Sequence, residues 1–220
     1  KEHIANNQNC LIEKTRTDYN SIINGLERSS LIVFKTIIET PGVMELMKTA
    51  STSFGEEKKQ ARSELYELLE KQYKILETAG YRQLHFHLPS GESFLRFHRP
   101  EKHGDNLKAL RQSIAIVNKE LKPVCGFEEG RIFNGYRFVY PILKDGSHYG
   151  SVELSVSFKA IADEFVKLKK SNVGIMFDKE IVQSKVFPDE LSNYENIDSI
   201  PNMLFYKELT LDSIHADSYE

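Results

Sequence analysis

The sequence predicts an α+β fold: one long N-terminal helix, then a mainly antiparallel sheet module, then a second, smaller sheet module of incomplete pattern. Three observations carry this. Apolar residues recur at spacings built from three, four and seven between Ile4 and Ile38. From Tyr81 the period drops to two. Turn signals at Pro89–Glu92 and Asp145-Gly146 then separate alternating runs, as hairpins require.

The first helix is read over residues 3–39, with Leu11, Ile22, Ile23, Leu26, Val33, Phe34, Ile37 and Ile38 on its apolar face. A helix of about 36 residues is about 54 Å long. Its apolar content is thin at the start and richer from Ile22, the pattern of a stalk that becomes a packed helix. A break into two helices at Gly25 is the alternative, and Pro41-Gly42 ends the run. Residues 1–50 are assigned to this stalk. A second helix spans Glu56–Thr78, where Leu65, Leu68, Leu69, Tyr73 and Leu76 form the apolar face and Gly80 is the stop.

Residues 51–165 are assigned to the larger module. In it Leu84, Phe86 and Leu88 alternate with Gln83, His85 and His87, and Ser93–Arg99 returns as the second arm of a hairpin. Leu107–Glu120 reads as a short inserted helix with Leu110, Ile114 and Val117 inward. Strands follow at Val124–Glu128, Arg131–Pro141 and His148–Phe158, then a helix at Ala160–Lys169. Residues 166–220 are assigned to the smaller module. A hairpin is expected there at Val173–Phe177 and Ile181–Lys185 with its turn at Asp178-Lys179, and one more strand in Met203–Leu211.

Composition excludes several classes. The 220 residues are 40% hydrophobic and 28% charged, with a net charge of −3. That is a globular balance, and it argues against a nucleic-acid partner held by bulk positive charge. Two cysteines, Cys10 and Cys125, rule out a disulfide framework but leave one bridge open, and Cys125 in its apolar run is expected to be buried. No apolar run approaches the roughly 18 residues of a membrane span. The chain opens on Lys1, as expected of a segment cut from a longer protein. Nucleophile-elbow, zinc-protease, Walker and dinucleotide motifs are all missing, so the segment is read as non-catalytic and no cofactor is assigned.

The stretches LHFHLPSGESFLRFHRPEKHGDNLKALRQS and GFEEGRIFNGYRFVYPILKDGSHYGSVELSVSF carry a resemblance. With the long helix before them and a smaller hairpin unit after, they resemble the double Cache sensor domains of bacterial transmembrane receptors: histidine kinases, chemoreceptors and diguanylate cyclases. The resemblance is clearest over residues 81–158. It implies two PAS-like modules, a membrane-distal one that binds ligand and a membrane-proximal one. It also implies a periplasmic position between two membrane spans outside this sequence, and a homodimer paired through the N-terminal helix.

The same resemblance directs attention to particular residues. Members that bind amino acids hold the ligand carboxylate with an arginine and an aromatic residue two apart on a comparable strand, which here falls on Arg96 and His98. A forked guanidinium suits a carboxylate. The tyrosine expected upstream is Gly91, which weakens α-amino acid specificity. Glu153, among Ser151, Ser155 and Ser157, stands where relatives place an acid for the ligand ammonium. The loop and helix that fold over the pocket contribute Asp105 and Arg111. Tyr136 and Tyr140 offer aromatic walls with hydroxyl tips. The plain alternatives are a solvated strand face for Arg96 and His98, a helix N-cap for Asp105 or Asn106, and core packing for the tyrosines.

His85, His87, His98 and His103 are the candidates for a metal site, since imidazole suits Zn, Cu or Ni. The sequence joins no cysteine to them and places no acidic partner beside them, so no metal ligand is assigned. The reading is therefore a sensing domain for a small molecule with an anionic or zwitterionic group. A protein-partner module with a vestigial pocket, and a metal-responsive domain, are the alternatives.

Overall fold

The computed structural model describes residues 2–130, 134–169 and 173–207, with side chains from residue 7 onward except that of residue 169. The expected start of a strand at Arg131, the end of the last strand at Leu209–Leu211 and the side chain of Ile4 lie outside the described residues.

Helix α1 runs over Glu2–Val33 without a break at Gly25 and passes into a π-helical turn at Phe34–Ile38, closed by Glu39 N–H donating to Phe34 O at 2.8 Å. Helical backbone thus reaches the residue at which the apolar period stops. Pro41 then starts α2 (Pro41–Thr52), where its missing N–H costs nothing. This helix was not expected; its residues were counted with the stalk. Helix α3 is Gly55–Thr78.

The chain divides into two compact units. The larger joins Ser29–Gly130 to Asn134–Ser157. It holds an antiparallel sheet of five strands in the order β2-β1-β5-β4-β3: β1 Tyr81–His87, β2 Ser93–Arg96, β3 Val124–Glu128, β4 Gly135–Lys144 and β5 Ser147–Val156. Both faces of its centre are buried, and they differ in chemistry. Leu84, Phe86, Leu95 and Phe138 lie on the apolar face, toward α2 and α3. Gln83, His85, His87, Arg137, Ser151, Glu153 and Ser155 lie on the other and are also buried. That face is covered by the loop after β2 and by α4 (Gln112–Glu120), which packs Ile114 and Val117 inward.

Gly150 permits a tight crossing of β1 and β5. Its φ is +136°, and a Cβ there would meet His87 O at 2.0 Å. Only glycine fits, because both the backbone angle and the space exclude a side chain.

The smaller unit joins α1 up to Arg28 with Phe158 onward. It contains α5 (Phe158–Lys169) and a three-stranded antiparallel sheet in the order β6-β8-β7: β6 Met176–Asp178, β7 Tyr194–Asn196 and β8 Met203–Tyr206. Phe177 is its hub, packing edge-on to Phe158, Tyr194 and Tyr206 at 5.5–6.0 Å. The expected hairpin is corrected here. Its second arm, Ile181–Lys185, belongs to helix α6 (Lys179–Lys185). Asp178, read as a turn residue, is the helix cap: its carboxylate accepts from Ile181 N–H at 3.0 Å. The strand within Met203–Leu211 is present as β8.

Candidate functional site

The site is the polar face of the five-stranded sheet. Cross-strand pairing places His85 between Arg96 and Glu153, and His87 between Ser93 and Ser151. The alternation in LHFHL therefore sorts the face as expected, but both sides of β1 are buried and neither is solvated.

Four charges form a closed lattice at its centre. Arg111, the N-cap residue of α4, donates Nε to Glu128 Oε2 and Nη2 to Glu153 Oε2, each at 2.6 Å. Arg137 donates Nη1 to Glu153 Oε1 and to Gln83 Oε1, the latter at 2.7 Å. Ser155 Oγ donates to the same Gln83 oxygen at 3.0 Å. Glu128 also accepts from Ser113 N–H at 3.2 Å and Ser113 Oγ at 2.8 Å, which anchors the first turn of α4.

Burial sets the protonation of this face. It would push the Glu153 carboxyl up, but Arg111 and Arg137 more than reverse it and hold the group well below the usual carboxylate range. Glu128 is shifted the same way: burial opposes ionisation, and Arg111 and Arg137 outweigh it. The imidazoles move downward. Burial presses His85 well below its ordinary value, His87 down to about 3 and His98 down to about 4. All three are neutral at physiological pH.

Of the residues expected at a ligand site, the structure brings Glu153, Arg111 and His98 to this face. His98 lies beyond the end of β2, with its ring 6.4 Å from His85 and its Nε2 at 3.5 Å from Gln83 Nε2. Arg96 is on the same face but is engaged by Asp105, through paired bonds of 2.7 and 2.8 Å, and by Lys102 O at 2.7 Å. This fork fastens the loop after β2. Asp105 is therefore not the helix cap: α4 starts at Gln112, later than Leu107, and Asn106 instead closes a local turn by accepting from Lys108 N–H at 2.9 Å.

Tyr136 and Tyr140 are placed elsewhere. They alternate with Arg137 and so point to the apolar face. Tyr140 is buried, stacked on Phe34 at 4.7 Å, with its hydroxyl 2.6 Å from Ser30 Oγ. Tyr136 packs on Phe138 at 5.5 Å. Cys125, expected to be buried, is exposed.

Sequence reasoning missed Glu128, Arg137, Gln83 and Ser113. Arg137 carried a legible signal, an arginine alternating within the otherwise apolar run YRFVYPI. Glu128 had none, since the side chains that hydrogen-bond its carboxylate, Ser113 and Arg111, lie 15 and 17 positions upstream on another element. The acidic partner that the sequence did not place beside the histidines is Glu153, the cross-strand neighbour of His85. Donor atoms of His85, His87 and Glu153 lie within 4.8 Å of one another.

Two α+β units, the larger with a covered and charged sheet face, have the architecture of a sensory domain. Residues 31–199 match the family described as the double sensory domain of two-component sensor kinases, and the chain belongs to that family of double Cache domains. Two solved structures share its fold. The V. cholerae histidine kinase DctB sensor domain is 15% identical with a TM-score of 0.55, over 78% of this chain and 64% of that one. The ligand-binding domain of the Campylobacter jejuni chemoreceptor Tlp3, solved with L-norvaline, is 14% identical with a TM-score of 0.52, over 90% of this chain and 69% of that one. This chain thus spans less than two thirds of the DctB sensor domain. Comparison with curated proteins finds no significant match. No helix among the described residues is long and apolar enough to cross a membrane.

Proposed function

We propose that this chain is the extracytoplasmic, non-catalytic sensing domain of a bacterial signal-transduction receptor. It takes a small anionic or zwitterionic molecule between the polar sheet face and the loop that leads into α4. The observation that carries this reading is the buried lattice of Arg111, Arg137, Glu128 and Glu153. Buried ion pairs are a poor way to stabilise a core, because desolvation of both charges offsets their attraction. Groups whose titration burial and charged partners shift, gathered in a covered site, mark a candidate functional site.

Within it, Arg111 and Arg137 hold the ligand carboxylate and Glu153 takes an ammonium if one is present. Arg96 and Asp105 keep the loop closed over the site. His98 Nδ1 is buried without a hydrogen-bond partner among the described residues, and a polar ligand group satisfies it. Binding shifts the equilibrium between two arrangements of the domain only by its differential affinity for them. Helix α1 and its π turn, joined to the sheet through Ser30 and Phe34 on Tyr140, carry the shift toward the membrane. The receptor pairs as a homodimer through α1, a role that the exposed Leu11 and Ile12 suit.

One observation favours a second reading, a module that binds a protein partner. Each charge of the lattice already has an internal counter-charge, as in a vestigial pocket. A thermal-shift panel of amino acids, dicarboxylates and amines tests both. Stabilisation of about 2.7 kcal/mol at a hundredfold excess over Kd supports the ligand reading. Silence across the panel, with a folded sample and no molecule released on denaturation, supports the partner reading.

A further inference from the structure

The polar face carries a second chemistry that an anionic ligand does not use. His85 and His87 are two apart on β1, so both rings leave the same side of the sheet. Glu153 stands directly across from His85 on β5. All three are buried, and one donor atom from each falls within a 4.8 Å cluster.

The surroundings of the rings match those of metal-binding imidazoles. His85 Nε2 is 2.8 Å from Ser93 Oγ, and His87 Nδ1 is 3.1 Å from Ser151 Oγ. In the tautomers whose ring N–H groups donate to these two serines, lone pairs are left on His85 Nδ1 and His87 Nε2, as metal binding requires. His87 Nε2 is the independent sign: it is buried and has no hydrogen-bond partner among the described residues. An unpartnered buried polar atom costs free energy unless something meets it. Burial also keeps both imidazoles in the neutral form that binds metal.

We infer that His85, His87 and Glu153 form a site for a borderline divalent transition-metal ion, of the Zn²⁺ or Ni²⁺ kind, through two imidazole nitrogens and one carboxylate oxygen. Two imidazoles select such ions over Ca²⁺ and Mg²⁺, which prefer all-oxygen shells. Arg111 and Arg137 set the limit on affinity. Each occupies one oxygen of Glu153, and an ion shares the carboxylate with them, using lone pairs that a single hydrogen bond leaves open. Glu128 supplies the second negative charge nearby.

The test is a calorimetric titration of the chelator-treated chain with ZnCl₂, NiCl₂ and CaCl₂. One Zn²⁺ or Ni²⁺ per chain, no Ca²⁺, at least tenfold weaker binding in His87→Gln and unchanged binding in His148→Gln are expected. No saturable binding, or binding that His87→Gln leaves intact, overturns the inference. Co²⁺ absorption of the unaltered chain needs no variant: ligand-field bands that saturate at one equivalent and vanish on Zn²⁺ addition are expected, and their absence overturns it. The inference stands apart from the anion reading. Carboxylates titrated into the metal-free chain report on that reading alone.

Discussion

Arg111 and Glu153, 42 positions apart, meet at 2.6 Å beneath α4, and the same guanidinium holds Glu128 at 2.6 Å. One arginine thus ties the start of a helix to a central strand and an outer one. The pair is almost wholly withdrawn from solvent, with Arg111 13% and Glu153 0% exposed, so removing one partner strands a buried charge. Arg111→Ala is expected to destabilise the domain by about 3–5 kcal/mol. Urea unfolding checks this, and a double-mutant cycle with Glu153→Gln should return a coupling above about 1 kcal/mol.

The buried imidazoles make stability depend on pH. In the unfolded chain each takes up a proton near pH 6.5. In the fold, burial delays this to about 3 for His87 and about 4 for His98. The unfolded state therefore binds more protons as pH falls. This contribution is complete above about 6.5 and is lost between there and the folded values, at up to about 1.4 kcal/mol per pH unit for each group. Urea midpoints from pH 7.5 to 4.5 should be flat at the top and fall steadily below 6. A flat profile throughout would contradict the burial of the cluster.

Arg96 and Asp105 act on the loop more than on the fold. Asp105 is half exposed, so its ion pair is worth about 1 kcal/mol or less globally. Asp105→Asn should leave the melting temperature within a few degrees while amide exchange quickens in residues 97–110. Slow exchange there in the variant would show that something else holds the loop.

Gly150→Ala places a methyl group against His87 O, where 2.0 Å is available, at a φ that L-residues avoid. A loss of about 3 kcal/mol or more is expected from strain and the displaced strand. Exchange of β1 amides should rise with it. Unchanged stability would mean that β1 and β5 are not so closely crossed.

Tyr140→Phe removes the hydroxyl that meets Ser30 while keeping the stack on Phe34. A cost of about 1 kcal/mol is expected, read from urea midpoints.

Local pattern made much of this architecture legible. Periods of 3.6 and 2 fixed α1, α3 and the five strands because they record which faces are buried. The turn at Asp178 failed because an aspartate serves a hairpin or a helix cap equally well, and the residues after it decide. Glu153, Arg111 and His98 were reachable from strand alternation and family likeness. Glu128 and Ser113 were not, since only the pairing of β3 with β4 and the late start of α4 bring them together. Arg96 was recognised as a carboxylate-binding residue, and the carboxylate it holds is the chain's own Asp105.

The measurement closest to the central claim is a calorimetric titration of the chain with succinate, L-glutamate and L-leucine, beside Arg111→Ala and Arg137→Gln. The account predicts saturable binding of at least one of these, weakened tenfold or more in both variants while Tyr136→Phe binds normally. Binding that survives both arginine substitutions in folded protein would contradict it.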